Sequence, residues 1–233
     1  MYTVFSTWDQ EGENIMGKLG VIKKDKSLSD KAYDIIKEAI ISNKLKPGEI
    51  LAEEKLAEEL QISRTPIKAA LLKLVYEEIA EINQSKNVVV SDITQKEIED
   101  ITLVRESLES LAVLSLKDNI SKKQIEEIKS RYIEQLHMVE EHRDEDFIEL
   151  DYEFHTKIAE YTNNSFLRDM IKKANLITKR FLILSGTVNQ YGSVANKEHK
   201  EIVDYIEKGE FELASEAMKR HLKNVNKRML AHK

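Results

Sequence analysis

Cysteine is absent from this chain of 233 residues, and only seven glycines and two prolines are present. Without cysteine the chain can form no disulfide, thiolate zinc site or cysteine nucleophile. The scarcity of glycine and proline favours helices joined by short connections over a β-sandwich. Apolar residues make up 41% of the chain and charged residues 33%, which is typical of a globular protein rather than a disordered one.

Long apolar runs are also missing: none approaches the roughly 18 residues that a membrane-spanning helix requires. The N-terminus has no basic region followed by an apolar one, as a secretory signal would. We therefore expect a cytoplasmic protein. The net charge of −6 argues against a protein that binds nucleic acid through bulk positive charge.

Residues 49–76 predict two short helices separated by a tight turn. Leu56, Ala57 and Leu60 have the spacing of a short amphipathic helix. After the break at residues 61–63, Ser63 is expected to cap a second helix, with Pro66 in its first turn, where a missing N–H costs nothing. Two short helices joined in this way indicate a helix-turn-helix.

The second of these helices has an apolar stripe and a basic, hydroxyl-bearing start. Residues 61–76 contain three basic side chains and no acidic one. Residues 27–92 as a whole carry 9 basic and 12 acidic side chains, a net charge of −3, so a DNA-binding surface must concentrate its positive charge here. Because the start of the second helix enters the major groove in such units, we expect DNA contacts from Ser63, Arg64, Thr65 and Lys68.

Two short β-like runs follow, at residues 79–82 and 88–90, and residues 83–87 connect them. This pattern predicts a small hairpin, or wing. Lys86 near its tip is suited to a phosphate or minor-groove contact.

Residues 62–74, ISRTPIKAALLKL, resemble the signature of the GntR family of bacterial winged-helix repressors. The preceding residues 31–51 resemble that family's first helix and its Leu-Pro-Gly turn. The resemblance implies a further DNA contact from Lys55, where relatives often carry an arginine. The chain departs from the family in having Gln61, Glu78 and Asn87 at positions that are usually glycine. The alternative is an ordinary helical hairpin in an all-α protein.

From Thr94 onward the pattern is helical throughout, and Thr94 with Glu97 predicts a capping box. Helices are expected at 95–117, 121–142, 144–162, 164–185, 194–208 and 210–230. This region resembles the FCD ligand-binding domain of the FadR subfamily, through an Arg-x-x-Leu-Glu helix, the sequence DYEFH and two later histidines. We therefore predict a mainly α fold: an N-terminal extension (1–27), a winged helix-turn-helix (28–92) and an all-α antiparallel bundle (93–233).

Three of the six histidines lie on apolar helix faces of this second region. His155 follows Asp151 by four residues, so both point from the same side of one helix. Three imidazoles and a carboxylate suit a divalent transition metal such as Zn²⁺, Ni²⁺ or Mn²⁺, and the resemblance implies that these positions are the metal ligands. The alternative is that the histidines are hydrogen-bonded core residues. The predicted ligands are Asp151, His155, His199 and His221; His137, His142 and His232 are expected to face solvent.

Arg105 falls within an apolar stripe, where a guanidinium needs a partner. It is predicted either to clamp a carboxylate effector or to pair internally with Glu109. Asn175 and Arg180 are further candidates for lining an effector cavity.

Together these features predict a homodimeric transcriptional regulator, expected to act as a repressor on a pseudo-palindromic operator. A small organic acid bound at the metal would modulate its affinity for DNA. The rival predictions are a helical metalloenzyme with the Asp/His centre as its active site, and a metal-free regulator of the same fold. Because no general base or nucleophile stands beside the predicted ligands, we expect no enzymatic activity.

Overall fold

The computed structural model describes residues 26–118 and 120–231. The predicted N-terminal extension, apart from its last two residues, and His232 lie outside these ranges. The elements in the described ranges are α1 (Leu28–Ile41), α2 (Glu53–Glu59), α3 (Arg64–Tyr76), β1 (Ala80–Ile82), β2 (Val88–Val90), α4 (Gln95–Leu114), α5 (Lys122–Glu140), α6 (Asp144–Glu160), α7 (Ser165–Ser185), α8 (Val188–Glu207) and α9 (Phe211–Leu230). This confirms the predicted fold class: a winged helix-turn-helix followed by an all-helical region.

The first three helices share one apolar core, because Ile36 and Ile40 of α1 meet Ile67, Leu71 and Leu74 of α3. The two strands pair antiparallel, with Ala80 opposite Val90 and Ile82 opposite Val88. An isolated bridge between Ile50 and Val89 ties the segment before α2 to the wing. The division of the chain at residues 92 and 93 stays a prediction.

The six later helices bury a second core. Helix α9 lies against α4 and α8, helix α5 against α6 and α8, and helix α7 against α4 and α6. The capping box is confirmed: the Thr94 hydroxyl accepts from the backbone N–H of Glu97, whose carboxylate accepts from that of Thr94. Side chains at the centre of this core, each almost fully buried, include Ile128, Phe154, Ile158, Ile202 and Met218.

Helix α8 begins at Val188, six residues before the predicted start at 194. Gly186, with φ of 62°, ends α7 in the left-handed conformation expected of a glycine after a helix. Gly192 instead lies inside α8, where an added Cβ would be 3.3 Å from side-chain carbons of Val139 and Val188. The second glycine therefore allows close helix packing rather than a turn. Within the described residues, no helix has the length and apolarity to cross a membrane.

Four positions of the winged helix adopt left-handed backbone without glycine, one of them Asn43 after α1. Gln61, Glu78 and Lys86 have φ of 54°, 61° and 62°. The first two are positions where the sequence departs from the family's glycine. In the wing the left-handed residue is Lys86 rather than Asn87, and its N–H donates to the Asn83 carbonyl at 2.9 Å.

Replacing Glu78 with glycine is expected to stabilise the winged helix by roughly 0.5–1 kcal/mol. A left-handed side chain costs about 1–2 kcal/mol, part of which the larger unfolded-state entropy of glycine offsets. Urea unfolding followed by circular dichroism measures the change. Glu58→Gly, within α2, is the matched control and should destabilise the protein. A lower urea midpoint for Glu78→Gly than for the wild type would contradict this account.

Candidate functional site

The corner between α2 and α3 is exposed in the way that a DNA-reading unit requires. Ser63 has the extended backbone of an N-cap, with φ of −69° and ψ of 162°, but its hydroxyl makes no capping hydrogen bond. Arg64, Thr65 and Lys68 are also exposed, because the opposite side of α3 is buried against α1. Backbone N–H groups, hydroxyls and cations at a helix start are the usual phosphate-binding groups of DNA-binding proteins.

The other two predicted DNA contacts lie on neighbouring elements. Lys55 is exposed on α2, and Lys86 is exposed at the tip of the wing. Nη2 of Arg64 lies 3.7 Å from Oε2 of Glu53, an exposed contact that a phosphate could replace at little cost. All six predicted residues are therefore on accessible parts of the winged helix.

A second group of functional side chains lies deep in the helical region. Helices α6, α8 and α9 each contribute one histidine to a histidine cluster of His155, His199 and His221, with ring nitrogens all within 4.8 Å of one another. Each side chain is at most 1% exposed. The Nε2 atoms of His199 and His221 are 3.1 Å apart.

Each Nδ1 atom of the histidine cluster faces an acceptor oxygen. For His155 this is Oε2 of Glu109, at 2.5 Å. Nδ1 of His199 lies 2.7 Å from Oε1 of Gln135, and Nδ1 of His221 lies 2.8 Å from Oε2 of Glu198. For His199 and His221 these acceptors place the proton on Nδ1 and leave the two Nε2 lone pairs facing each other, as partners of metal-bound histidines do. The contact of His155 with Glu109 is a close ion pair without hydrogen-bond geometry.

Burial keeps His199 and His221 neutral. Desolvation, with the neighbouring His221 and His155, lowers the pKa of His199 well below its ordinary value. Desolvation likewise lowers the pKa of His221, although its contact with Glu198 opposes the shift. Burial alone would raise the pKa of Glu198, but the hydrogen bonds from Arg228 and His221 hold it at about 2. These two rings therefore present lone pairs beside an ionised carboxylate.

The donor set fits a transition metal. Ligand nitrogens about 2.0–2.1 Å from a metal are roughly 2.9–3.4 Å apart, and the 3.1 Å between the two Nε2 atoms falls in this range. Nε2 of His155 is buried with no hydrogen-bond partner among the described residues. Asp151 lies at the edge of the cluster, with Oδ1 3.6 Å from Nε2 of His199.

Arg105 forms its predicted internal pair and keeps one buried donor atom without a partner among the described residues. Its Nε donates to Oε1 of Glu109 at 2.7 Å, so the internal pair exists. Its buried Nη2 has no hydrogen-bond partner in the described part of the chain, and the residue lines a cavity beside the histidine cluster. The arginine can thus hold Glu109 and still donate to a bound group.

The two other predicted effector contacts lie elsewhere. Nδ2 of Asn175 donates to Oε1 of Glu109 at 2.9 Å, so this amide orients the carboxylate and does not line the cavity. Arg180 donates to the carbonyl oxygen of Ser91 and lines a different cavity, next to the winged helix. The structure therefore does not bring Arg180 to the histidine cluster.

The cavity beside the cluster is small, with about 30 Å³ of solvent-accessible space. At roughly 10–15 Å³ per water, it holds about two water molecules. A ligand larger than this requires the wall to move. The polar or charged side chains on the wall are Arg105, Asp151, His155, Thr178, Thr187, Tyr191, His221 and Arg228.

Sequence reasoning missed the acceptors that orient the rings. On α5, Leu136 is 41% exposed, whereas its neighbour Gln135 is fully buried. Gln135 follows the buried Ile128 by seven residues, which places both on one helix face and was the available signal. Glu198, next to His199 in sequence, had no such signal because its partner His221 lies on another helix. His137 and His142 are exposed, as predicted.

Comparison with known families shows which protein family this chain belongs to. Residues 28–90 match the model of bacterial regulatory proteins of the gntR family, and residues 100–224 match the FCD domain. The chain belongs to the GntR family, with an FCD domain. GntR regulators bind operator DNA and are often dimers, and FCD domains often bind metals.

Known GntR-family proteins resemble the chain over most of its length. It is 26% identical to the uncharacterized HTH-type regulator YdhC of Bacillus subtilis, over 81% of this chain and 85% of the relative. It is 28% identical to the HTH-type regulator McbR of Escherichia coli, over 64% and 68%. The solved structure of E. coli McbR/YncC shares the fold, with a TM-score of 0.73 and 20% identity over 89% of this chain and 97% of that one.

The family and these relatives are transcriptional regulators rather than enzymes. The prediction of a DNA-binding regulator is therefore confirmed, and the helical metalloenzyme is excluded. Metal identity, effector and site residues remain matters for proposal.

Glu109→Gln is expected to destabilise the protein by about 3 kcal/mol, because it leaves the buried Arg105 without its charged partner. Chemical unfolding measured in the presence of a chelator isolates this effect from any metal. Asp100→Asn, which removes an exposed partner of Lys96, serves as the control and should change stability little. Equal effects of the two substitutions would show that the buried network does not carry this stability.

Proposed function

We propose that this GntR-family protein is a homodimeric repressor, located with its DNA in the cytoplasm, whose operator affinity is set by a small carboxylate bound beside a divalent metal. The convergence of three buried histidines, each with a ring nitrogen within 4.8 Å of the others, is the observation that carries this proposal. Asp151 would complete the ligand set. Among the relatives, RspR of E. coli and the gluconate operon protein of Bacillus licheniformis are named repressors.

The chemistry of the site supports a carboxylate ligand. A metal held by three imidazoles and one carboxylate retains positive charge, and Zn²⁺, Ni²⁺ and Mn²⁺ all accept this donor set. The unpartnered Nη2 of Arg105 supplies a second positive group on the same cavity. Because the free space is small, the ligand would be a short organic acid.

The DNA contacts would come from the corner at the start of α3 together with Lys55 and Lys86. One recognition helix reads only a few base pairs, so two copies on a pseudo-palindromic operator are expected. An apolar surface supports the pairing of two copies, since α4 and α7 lie side by side and carry exposed apolar residues at helical spacing. These are Leu103, Leu111 and Leu114 on α4, and Phe166 and Met170 on α7, each between 39% and 80% exposed.

Arg64→Ala and Lys68→Ala are each expected to weaken binding to a duplex selected by this protein from a random pool. Each loss of a phosphate contact should lower the slope of log affinity against log salt by about one. Fluorescence anisotropy over a salt series measures both effects, and sedimentation confirms that the oligomeric state is unchanged. Lys219→Ala, a partly exposed position on α9, is the control. Failure to enrich any duplex, or variants that bind like the control, would refute the proposed DNA surface.

Protein purified without a nickel column is expected to bind about one divalent metal ion per chain, as three imidazoles converge on one point. His199→Ala should abolish this binding, whereas Gln135→Leu, which removes only the Nδ1 acceptor, should weaken it by roughly 10–100-fold. Elemental analysis and competition with a chelator measure the two effects. His137→Ala, exposed on α5, is the control. A wild type that retains no Zn²⁺, Ni²⁺ or Mn²⁺ after dialysis would favour the metal-free regulator.

A further inference from the structure

We propose that Arg180 couples the histidine cavity to the winged helix by holding the connecting segment, residues 91–94, against the wall of that cavity. The proposal rests on the regulatory function above, since it names the route by which a bound group would reach the DNA-binding part. Arg180 acts as a positioning residue: it would contact neither metal, effector nor DNA.

The connecting segment is short and is held from both sides. It runs from the end of β2 to Thr94, the N-cap of α4. On the winged-helix side, the N–H of Ser91 donates to the carbonyl of Ile79 at 3.1 Å. On the helical side, the carbonyl of Ser91 accepts from Nη2 of Arg180. One residue therefore joins the wing directly to α7.

A second contact fixes the same segment. Ile93 is 5% exposed and belongs to an apolar cluster with Phe147, Leu182 and Val188. These three members of the cluster also line the cavity beside the histidine cluster. The apolar cluster that contains Ile93 and the wall of the ligand cavity therefore share side chains.

Residues 178–182 of α7 contact both the histidine cavity and the connecting segment. Thr178 and Leu182 line the histidine cavity, while Arg180, between them in sequence, reaches Ser91 from another side of the helix. The histidine cavity holds only about two water molecules, so a larger occupant must displace its wall. A small shift or rotation of α7 would then move the hydrogen bond that holds Ser91.

The surroundings of Arg180 leave room for such a movement. A second cavity, with about 250 Å³ of solvent-accessible space, separates Ile79 and Glu77 of the winged helix from Ile177 and Arg180 of α7. Arg180 is 6% exposed, and its Nε has no hydrogen-bond partner among the residues described. The guanidinium therefore has free space beside it, at the junction between the winged helix and α7.

Hydrogen exchange of the peptide covering residues 88–96 tests this coupling, with Zn²⁺ alone as the probe and chelator-treated protein as the reference. In the wild type, Zn²⁺ should change the exchange rate of this peptide by about fivefold or more, the lower end of typical coupling between sites. Arg180→Gln should bind Zn²⁺ with wild-type stoichiometry yet lose most of this response. Arg180→Lys, which keeps a positive donor, should retain part of this response. That result would show that the loss in Arg180→Gln does not come from a fold defect. Arg168→Gln, a partly exposed position on the same helix, should respond like the wild type.

The outcomes separate this inference from the proposed function. An unchanged exchange rate in the wild type, or a full response in Arg180→Gln, would overturn the coupling whatever the DNA affinity does. A response in the wild type that requires Arg180, without any change in affinity for the selected duplex, would support the coupling and show that the metal alone does not set operator affinity. If Arg180 had only a structural role, Arg180→Gln would lower stability, but Zn²⁺ and chelator would still give different exchange rates for this peptide.

Discussion

The helical region depends on the burial of three imidazole rings, each of which needs a partner for its Nδ1. A buried polar group without a partner costs free energy, so the fold supplies Glu109, Gln135 and Glu198 from three different helices. Gln135 and Glu198 fix the orientation of His199 and His221, and the Nε2 atoms of these two rings meet as a consequence. Glu109 is itself held by Arg105 and Asn175. The metal chemistry and the packing of the bundle therefore rest on the same hydrogen bonds.

The constraint on the winged helix is a different one, namely the distribution of its charged side chains. Its sequence carries more acidic than basic residues, so affinity for DNA depends on where the cations lie rather than on how many there are. Burial of Ile67, Leu71 and Leu74 turns Arg64 and Lys68 outward at the start of α3. The left-handed backbone at Gln61 shapes the turn before that helix without the glycine usual in the family. The DNA-reading corner is thus produced by an apolar stripe on its opposite side.

The two parts are joined by a short segment, and α1 also contacts α7. Ile93 enters the apolar cluster that also walls the histidine cavity, and Arg180 holds the carbonyl of Ser91. Allostery requires a difference in free energy between two arrangements of the same parts. A segment anchored at one side chain and one carbonyl, next to free space, can change its position without unfolding either core. The junction therefore has fewer anchoring contacts than the well-packed interiors on either side.

Sequence alone determined the features that depend on local spacing: the helix-turn-helix, the capping box at Thr94, the wing, and the choice of the three inward histidines among six. Helical periodicity carries that information because one face of each helix must be apolar. Tertiary structure alone decided which side chains from different helices meet. It placed Gln135 rather than Leu136 inside, used Gly192 for close packing rather than a turn, and put Arg180 at the junction instead of the cavity. Periodicity gives the direction of a side chain around its own helix, whereas the partner it reaches depends on how two helices cross.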